Sequence, residues 1–380
     1  MAAPLPDEIM VWEILVRLPP KALLRCRAVC AAWRRATSAR RFLLVHHAHQ
    51  PNLPLLQNHG SDFLDIIPFD HRAGLTTADQ LQPAARLRRN VYLLDSCDGI
   101  LILRHRGRYA VCNPATRQFA TLQQTVGFTA LGFYLHHSTD EYRLLLYRDR
   151  VVDVPGLPYH MDAKLPLGVQ DGCHVLTLGS HLPPRHIGWP KARELVYDTN
   201  VLLRGSLHWY PRQRPESGQK GVITVFDTTN ESFRQMHAPL LPPGSHDRLF
   251  QMHGMLAIAC SNDAHTIVAI WVLQEYESEV WTFRCQVRLP VKEIRARFCM
   301  APTIWTVRVI SSYDDDAVIL IWFRQRLLHV DLDGKLVANF HCKGLCNYSH
   351  RLKQSLVLHT FFPALEGYVV NNSPFISTSD

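Results

Sequence analysis

Long apolar runs are absent from this sequence. The longest purely apolar stretches, such as Ala317 to Phe323, have seven residues, whereas a helix that spans a bilayer needs about 20. The opening Met1-Ala2-Ala3-Pro4 also lacks the basic and apolar regions of a secretory signal. These two absences argue against a helical membrane protein or a secreted one. They predict an intracellular chain of the cytoplasm or the nucleus.

Recognisable catalytic motifs are also missing, since no phosphate-binding loop, dinucleotide fingerprint, nucleophile elbow or zinc-protease signature occurs. The ten cysteines lie mostly in apolar stretches, as reduced and buried thiols do. The nearest approach to a zinc site is the set His341, Cys342, Cys346 and His350, but it lacks a Cys-x2-Cys pair. Asp314 to Asp316 are better interpreted as a solvated turn than as a calcium site. We therefore expect no catalytic residue, metal or cofactor.

Acidic residues are missing from one long segment, because none stands between Glu13 and Asp62. A compact unit of about forty residues cannot bury all its apolar side chains internally, so a partner is expected to cover some of them. That partner should be acidic. The segment's basic residues are Arg17, Lys21, Arg25, Arg27, Arg34, Arg35, Arg40 and Arg41.

The first 45 residues follow a helical pattern. Val11, Ile14, Leu15 and Leu18 recur at the spacing of one helix face. Pro19-Pro20 ends this helix and can begin the next. A second and a third short helix are expected between residue 20 and residue 45, which gives a small three-helix unit.

The same residues carry a family resemblance. The ordered string from Leu5-Pro6 through Leu18-Pro19 to Trp33-Arg34, ending at Phe42, resembles the F-box motif along its whole length. This resemblance implies docking on the Skp-family adaptor of a Skp–cullin–F-box ubiquitin ligase and, through the adaptor, on cullin. A basic DNA-binding unit is the alternative. The positions that match packing or adaptor-contact residues of the motif are Leu5, Pro6, Ile9, Ile14, Leu15, Pro19, Leu23, Leu24, Val29, Cys30 and Trp33.

Beyond the F-box, residues 46–89 are interpreted as a linker, residues 90–372 as a β-rich domain and residues 373–380 as a tail. Short runs of β-branched and aromatic residues alternate with turn signals such as Asp98-Gly99 and Asp333-Gly334. A loose repeat, in which a glycine precedes an apolar strand, begins at Gly99, Gly205 and Gly254. The 49 residues from Gly205 to Gly254 match one four-stranded propeller blade. The expected fold is therefore α+β and multidomain: a small all-α F-box before an all-β, propeller-like domain.

This β-rich region is itself similar to the plant F-box-associated domain. The similarity is carried by Ser96 to Ile100, Cys112 to Arg117, Leu131 to Phe133, Gly205 to Trp209 and Ile270 to Leu273. It implies a domain that binds a target protein, so the chain would be a non-catalytic substrate-recognition subunit of the ligase. A propeller-fold enzyme and a basic nucleic-acid-associated protein are the alternatives. The target, the face that binds it, the number of blades and the oligomeric state stay open.

Overall fold

The N-terminal unit consists of short helical segments. The computed structural model describes residues 7–376 apart from 61, 71–80, 89–90, 106, 149–150, 153–162, 165–170, 190–194, 196–198, 211–220, 243–245, 263, 299–304, 313–315, 324 and 342–344. The first segment, α1 (Asp7–Ile9), continues through a π-helical turn (Met10–Ile14) and a 3₁₀ turn (Leu15–Arg17). The following helices are α2 (Pro20–Cys26), α3 (Ala31–Ser38) and α4 (Arg40–His49).

Among the residues that the structure describes, six antiparallel sheets of four or five strands form most of the remaining fold, which confirms the expected propeller. Blade 1 contains β1 (Asn52–His59), β2 (Phe63–Pro68), β3 (Ala85–Arg88) and the late strand β26 (Leu345–Lys353). Blade 2 contains β4 (Val91–Cys97), β5 (Ile100–His105), β6 (Arg108–Asn113), β7 (Gln118–Leu122) and β27 (Glu366–Val370). Blade 3 contains β8 (Thr129–His136), β9 (Glu141–Arg148), β12 (Gly172–Thr177) and β13 (Arg185–Gly188).

Each of the remaining three blades is formed by four consecutive strands. Blade 4 contains β14 (Val201–Leu203), β15 (Ser206–Trp209), β16 (Val222–Asp227) and β17 (Ser232–His237). Blade 5 contains β18 (His246–Met252), β19 (Met255–Ser261), β20 (Ile267–Glu275) and β21 (Val280–Arg288), and blade 6 contains β22 (Thr306–Ser311), β23 (Ala317–Phe323), β24 (Arg326–Val330) and β25 (Leu336–His341). The smaller elements are the pair β10 (Val151–Val152) and β11 (Ala163–Lys164), a 3₁₀ turn (Gln123–Thr125), α5 (Val291–Phe298) and α6 (Phe361–Ala364).

The glycine repeat marks the turn between the first and second strands of a blade. Gly99, Gly205 and Gly254 all have positive φ, and so do the residues before them. Two successive residues with positive φ are typical of the tight hairpin turns that suit twisted strands. At Gly99 a side chain is also excluded by space, because a Cβ there would lie 2.5 Å from the carbonyl oxygen of Lys353.

The prediction that residues 46–89 are a linker is wrong. Helix α4 continues to His49, and β1, β2 and β3 then form three of the four strands of blade 1. The fourth strand, β26, pairs antiparallel with β1 from Asn52↔Lys353 to Asn58↔Leu345 and so closes the ring. Because this partner strand comes from the far end of the chain, the local sequence gave no sign that these short apolar runs form a sheet.

The first residues of the predicted tail, 373–376, are also part of the folded structure. Phe375 is buried and forms an isolated bridge with Leu87 on β3. The backbone N–H of Ile376 donates to the carbonyl oxygen of Arg86 at 2.9 Å. Residues 373–376 therefore pack on the outer strand of blade 1.

The core lies between the blades. Trp209 and Phe226 are fully buried with Tyr134 between blades 3 and 4. Between blades 5 and 6 the core is mostly aliphatic, and Ile270 and Ile319 are fully buried. In the part of the chain that the structure describes, no helix is both long and apolar enough to cross a membrane.

Closure of the ring by β26 predicts that a core substitution on this strand destabilises the fold. Leu352 on β26 is fully buried between blades 1 and 2, so Leu352→Ala should lower the free energy of unfolding by about 2–5 kcal/mol. Val337→Ala is the control, because Val337 is 56% exposed on the outer strand of blade 6 and should change stability by less than about 0.5 kcal/mol. Urea denaturation measures both values. An effect of Leu352→Ala as small as that of the control would contradict the closure by β26.

Candidate functional site

The N-terminal helices surround a small apolar core. Its buried side chains include Val11, Leu15, Leu23 and Phe42. Pro20 begins α2 at a position where its missing N–H costs nothing. At the start of α3 the Cys30 thiol accepts a hydrogen bond from the Trp33 N–H at 3.4 Å. Both features stabilise the beginning of a helix.

A second set of apolar side chains on the same helices points to solvent. Val29 is 67% exposed, and Ile14 and Leu24 are each 41% exposed. Large apolar side chains that a folded unit leaves exposed can mark a surface that binds another protein. We call this surface the apolar face; its residues are Ile9, Trp12, Ile14, Leu24, Val29 and Leu44.

The structure separates the predicted adaptor-contact residues into groups. Leu15 and Leu23 are buried and pack the module, and Trp33 is half-buried against the same core. Leu5 and Pro6 lie outside the described residues. The exposed members are Ile9, Ile14, Pro19, Leu24, Val29 and Cys30.

Two residues of the apolar face were missed in the sequence. Trp12 follows Ile9 by three positions, a spacing that places both on one side of a helix and could have revealed it. The Trp12 ring lies 5.6 Å from the Phe42 ring, and the Arg41 guanidinium lies 5.6 Å from the centre of the Trp12 ring. Leu44 lies on α4 between the buried Leu43 and the half-buried Val45 and carries no such signal.

Positive charge borders the apolar face. Arg17 pairs with Glu13 at 3.2 Å, and Arg27 turns inward, where its Nη2 donates to the Thr37 carbonyl oxygen at 2.6 Å. Burial lowers the pKa of Arg27. The other basic side chains are exposed and form no ion pair within the described chain: Lys21, Arg25, Arg34, Arg35, Arg40 and Arg41. An acidic surface is therefore the electrostatic complement of this module.

The helical module and the propeller share one core. Leu356 and Val357, which follow β26, are buried against Phe42 and Leu43 of α4. At the edge of this contact His47 Nδ1 lies 3.3 Å from the Gln354 carbonyl oxygen, and its Nε2 lies 3.8 Å from the Asp98 carboxylate. Burial acts to raise the pKa of Asp98, but hydrogen bonding to His47 holds it below its usual range.

Comparison with known proteins agrees with this architecture. Residues 3–46 match the F-box-like family, and residues 69–362 match the family described as the F-box associated beta propeller domain. The second match covers more than half of the chain. This chain belongs to the plant F-box proteins that carry an F-box-associated β-propeller domain.

Relatives of this F-box protein occur in Arabidopsis thaliana. It is 25% identical to F-box protein At5g49610 over 289 residues, which cover 73% of this chain and 77% of the relative. It is 24% identical to F-box protein CPR1 over 386 residues, which cover 94% of this chain and 89% of the relative. The second similarity therefore extends across both the F-box and the propeller.

The central channel of the F-box protein's propeller holds a polar cavity of about 160 Å³. Asp95 on β4 lines it and connects neighbouring blades. Its carboxylate accepts from the Phe133 N–H of blade 3 at 2.8 Å and from the Asn200 side chain, just before blade 4, at 2.9 Å. His350 of blade 1 places Nδ1 3.7 Å from the same carboxylate. Sequence reasoning missed Asp95, because its partners come from distant parts of the chain.

Burial shifts the pKa of both titratable groups of this network. Burial raises the pKa of Asp95 to about 6, against the hydrogen bonds from Asn200, Ser96 and Phe133 that favour its charged form. Burial lowers the pKa of His350 to about 4. The arrangement connects blades through hydrogen bonds, and a carboxylate suits it because one group can accept several donors.

The candidate metal sites gain no support. In the described ranges no group of three or more histidine, cysteine or acidic side chains is placed to hold a metal ion. His341 is exposed, whereas His350 lines the channel. Cys342, Asp314 and Asp315 lie outside the described residues.

The buried imidazole of His350 predicts a pH dependence of stability. The unfolded chain takes up a proton near pH 6.5 but the folded chain only near pH 4, so His350 removes stability as the pH falls between these values. Asp95, with a raised pKa, acts in the opposite direction between about pH 4 and 6. His350→Gln should therefore improve the stability at pH 4.5, relative to that at pH 7.5, by about 2–3 kcal/mol. Urea denaturation at the two pH values measures this, and an unchanged difference would contradict it.

Proposed function

We propose that this F-box protein is the substrate-recognition subunit of a Skp–cullin–F-box ubiquitin ligase. The F-box binds the Skp-family adaptor, the adaptor connects it to cullin, and the propeller binds a target protein. The chain itself acts without catalysis. Ubiquitin transfer is favoured because the target is held at high effective concentration near the conjugating enzyme.

The apolar face of the F-box is the observation that supports this proposal most strongly. The core beneath it is complete without these side chains, since Leu23 and Phe42 are fully buried while Leu24 and Val29 remain exposed. Apolar anchors at the centre of a docking surface carry most of the binding energy of an interface. The arginines around them favour an acidic partner and speed its approach.

The shared core of F-box and propeller supports the second half of the proposal. Because Leu356 and Val357 pack against α4, the propeller holds a fixed orientation to the F-box. A target bound to the propeller would then be presented from a defined position. A flexible linker would instead lower the effective concentration of the target.

Leu24→Asp tests the role of the apolar face. It places a charge at the centre of the proposed contact, where its desolvation is unfavourable, so the affinity for a purified Skp-family adaptor should fall about 30-fold or more. Leu182→Asp is the matched control, because Leu182 is 73% exposed on the propeller and its substitution should leave adaptor binding unchanged. Surface plasmon resonance with the full-length chain measures both affinities.

Equal adaptor binding by Leu24→Asp and by the unsubstituted chain would contradict the proposal, and so would the absence of binding to any Skp-family adaptor. Point substitution is a sharper test than deletion of residues 1–45. Such a deletion removes Phe42 and Leu43 and uncovers Leu356 and Val357, so it would disturb the propeller as well.

A further inference from the structure

The outermost strand of blade 5 is unusually long for an outer strand of this ring. β21 has nine residues, whereas the outermost strands of the other five blades have four to six. An outermost strand presents backbone N–H and C=O groups that no neighbouring strand pairs, and most proteins keep such edges short or interrupt them. β21 runs from Val280 to Arg288 without a proline or a glycine. Its pairing with β20 shifts register within the strand, because Arg284 is skipped between Phe283 and Cys285, and pairing continues on both sides of this irregularity.

Aromatic side chains lie on this edge. Trp271 on β20 is directly opposite Phe283, and their ring centroids are 5.3 Å apart at an angle of 69°. Leu273 is opposite Trp281, so Trp271, Phe283 and Trp281 share the face of the sheet that is turned toward blade 4. Phe283 is 55% exposed, although it carries one of the largest apolar side chains of the blade.

A groove separates this face from blade 4. We call it the rim groove; it has a volume of about 400 Å³ and is lined by His237, Pro239, Leu240, Trp271, Glu279 and Trp281. The Trp281 indole N–H donates to the His237 carbonyl oxygen at 2.9 Å. Glu279 accepts from the His237 N–H and contacts its Nδ1, both at 2.9 Å. Hydrogen bonds thus fix the walls, while Leu240 remains exposed.

Charge is distributed unevenly along the edge. The hairpin before β21 carries Glu275, Glu277 and Glu279, whereas β21 itself carries Arg284 and Arg288 and no acidic residue. Both arginines are exposed, and neither forms an ion pair with another described residue. A ligand lying along β21 would therefore meet apolar surface at one end and positive charge at the other.

We propose that β21 and the rim groove bind an extended segment of a partner protein, which pairs with the free edge of β21 as an additional strand. Apolar or aromatic side chains of the segment fill the rim groove beside Trp271 and Phe283. Aspartate or glutamate side chains lie opposite Arg284 and Arg288. Main-chain pairing supplies affinity in this mode of recognition, and side-chain pockets supply specificity. That the partner is the ligase target rests on the proposed function.

A displayed library of random twelve-residue peptides tests this proposal. The library is selected on the full-length chain and counter-selected on Phe283→Glu. Enriched peptides should carry apolar or aromatic residues in one half and acidic residues in the other. A synthetic peptide of the enriched sequence should bind Phe283→Glu and Arg284→Glu about tenfold more weakly than the unsubstituted chain. Fluorescence anisotropy measures the affinities.

Two controls distinguish peptide binding at the edge of β21 from nonspecific effects of a new surface charge. Val337→Glu introduces the same charge at an exposed apolar site on the outer strand of blade 6, and it should bind the peptide like the unsubstituted chain. A peptide N-methylated at alternate backbone positions cannot pair as a strand and should bind about tenfold more weakly.

Several results would overturn the proposal: no enrichment, enriched peptides without acidic residues, or equal binding to Phe283→Glu. If the chain self-associates in sedimentation experiments and Phe283→Glu abolishes this association, a second copy is the occupant, and the proposal is also overturned.

Adaptor affinity, measured on the same Phe283→Glu chain, reports the proposed function independently. Loss of peptide binding with retained adaptor binding is the expected pattern. Peptide binding by a chain that binds no adaptor would support the groove and contradict the ligase role.

Discussion

Leu356 and Val357 lie against Phe42 and Leu43 in one apolar core, and the arrangement of the whole molecule depends on this contact. The two residues come directly after β26, the strand that completes blade 1 by pairing with β1. The segment that closes the ring therefore leads directly into the residues that pack against the F-box. Burial of these side chains supplies a favourable free energy that would be lost on separation. Closure of the ring and packing of the F-box on the propeller therefore depend on the same segment of the chain.

A fixed F-box gives the propeller a defined orientation relative to the apolar face. The apolar face, with Leu24 and Val29, remains exposed because the F-box core and the propeller contact use other sides of the helices. Inside the ring, the carboxylate of Asp95 accepts hydrogen bonds from blade 3 and from Asn200 before blade 4, which couples the inner strands. At the outer rim, no described strand pairs with the outer edge of β21. Rigid positioning at the centre and an open edge at the rim suit a protein that presents another protein.

The sequence was informative where structure is determined locally. The F-box string and the glycine turns at Gly99, Gly205 and Gly254 depend on nearby residues, and both were predicted. Blade 1 was missed because β1 needs a partner strand from the other end of the chain. Asp95 was missed for the same reason, since Asn200 and His350 are remote in sequence. Which apolar residues of the F-box face solvent also depends on contacts with the propeller, which no local pattern reveals.

Amide hydrogen exchange of the full-length chain tests the shared core most directly. We predict that the slowest amides of α4 (Arg40–His49) and of β26 (Leu345–Lys353) open with similar free energies, because both belong to one cooperative unit. We also predict that Phe42→Ala, which removes a fully buried side chain from the core, accelerates exchange in both segments. Faster exchange in α4 alone, with β26 unchanged, would show that the F-box opens independently of the propeller and would contradict the account.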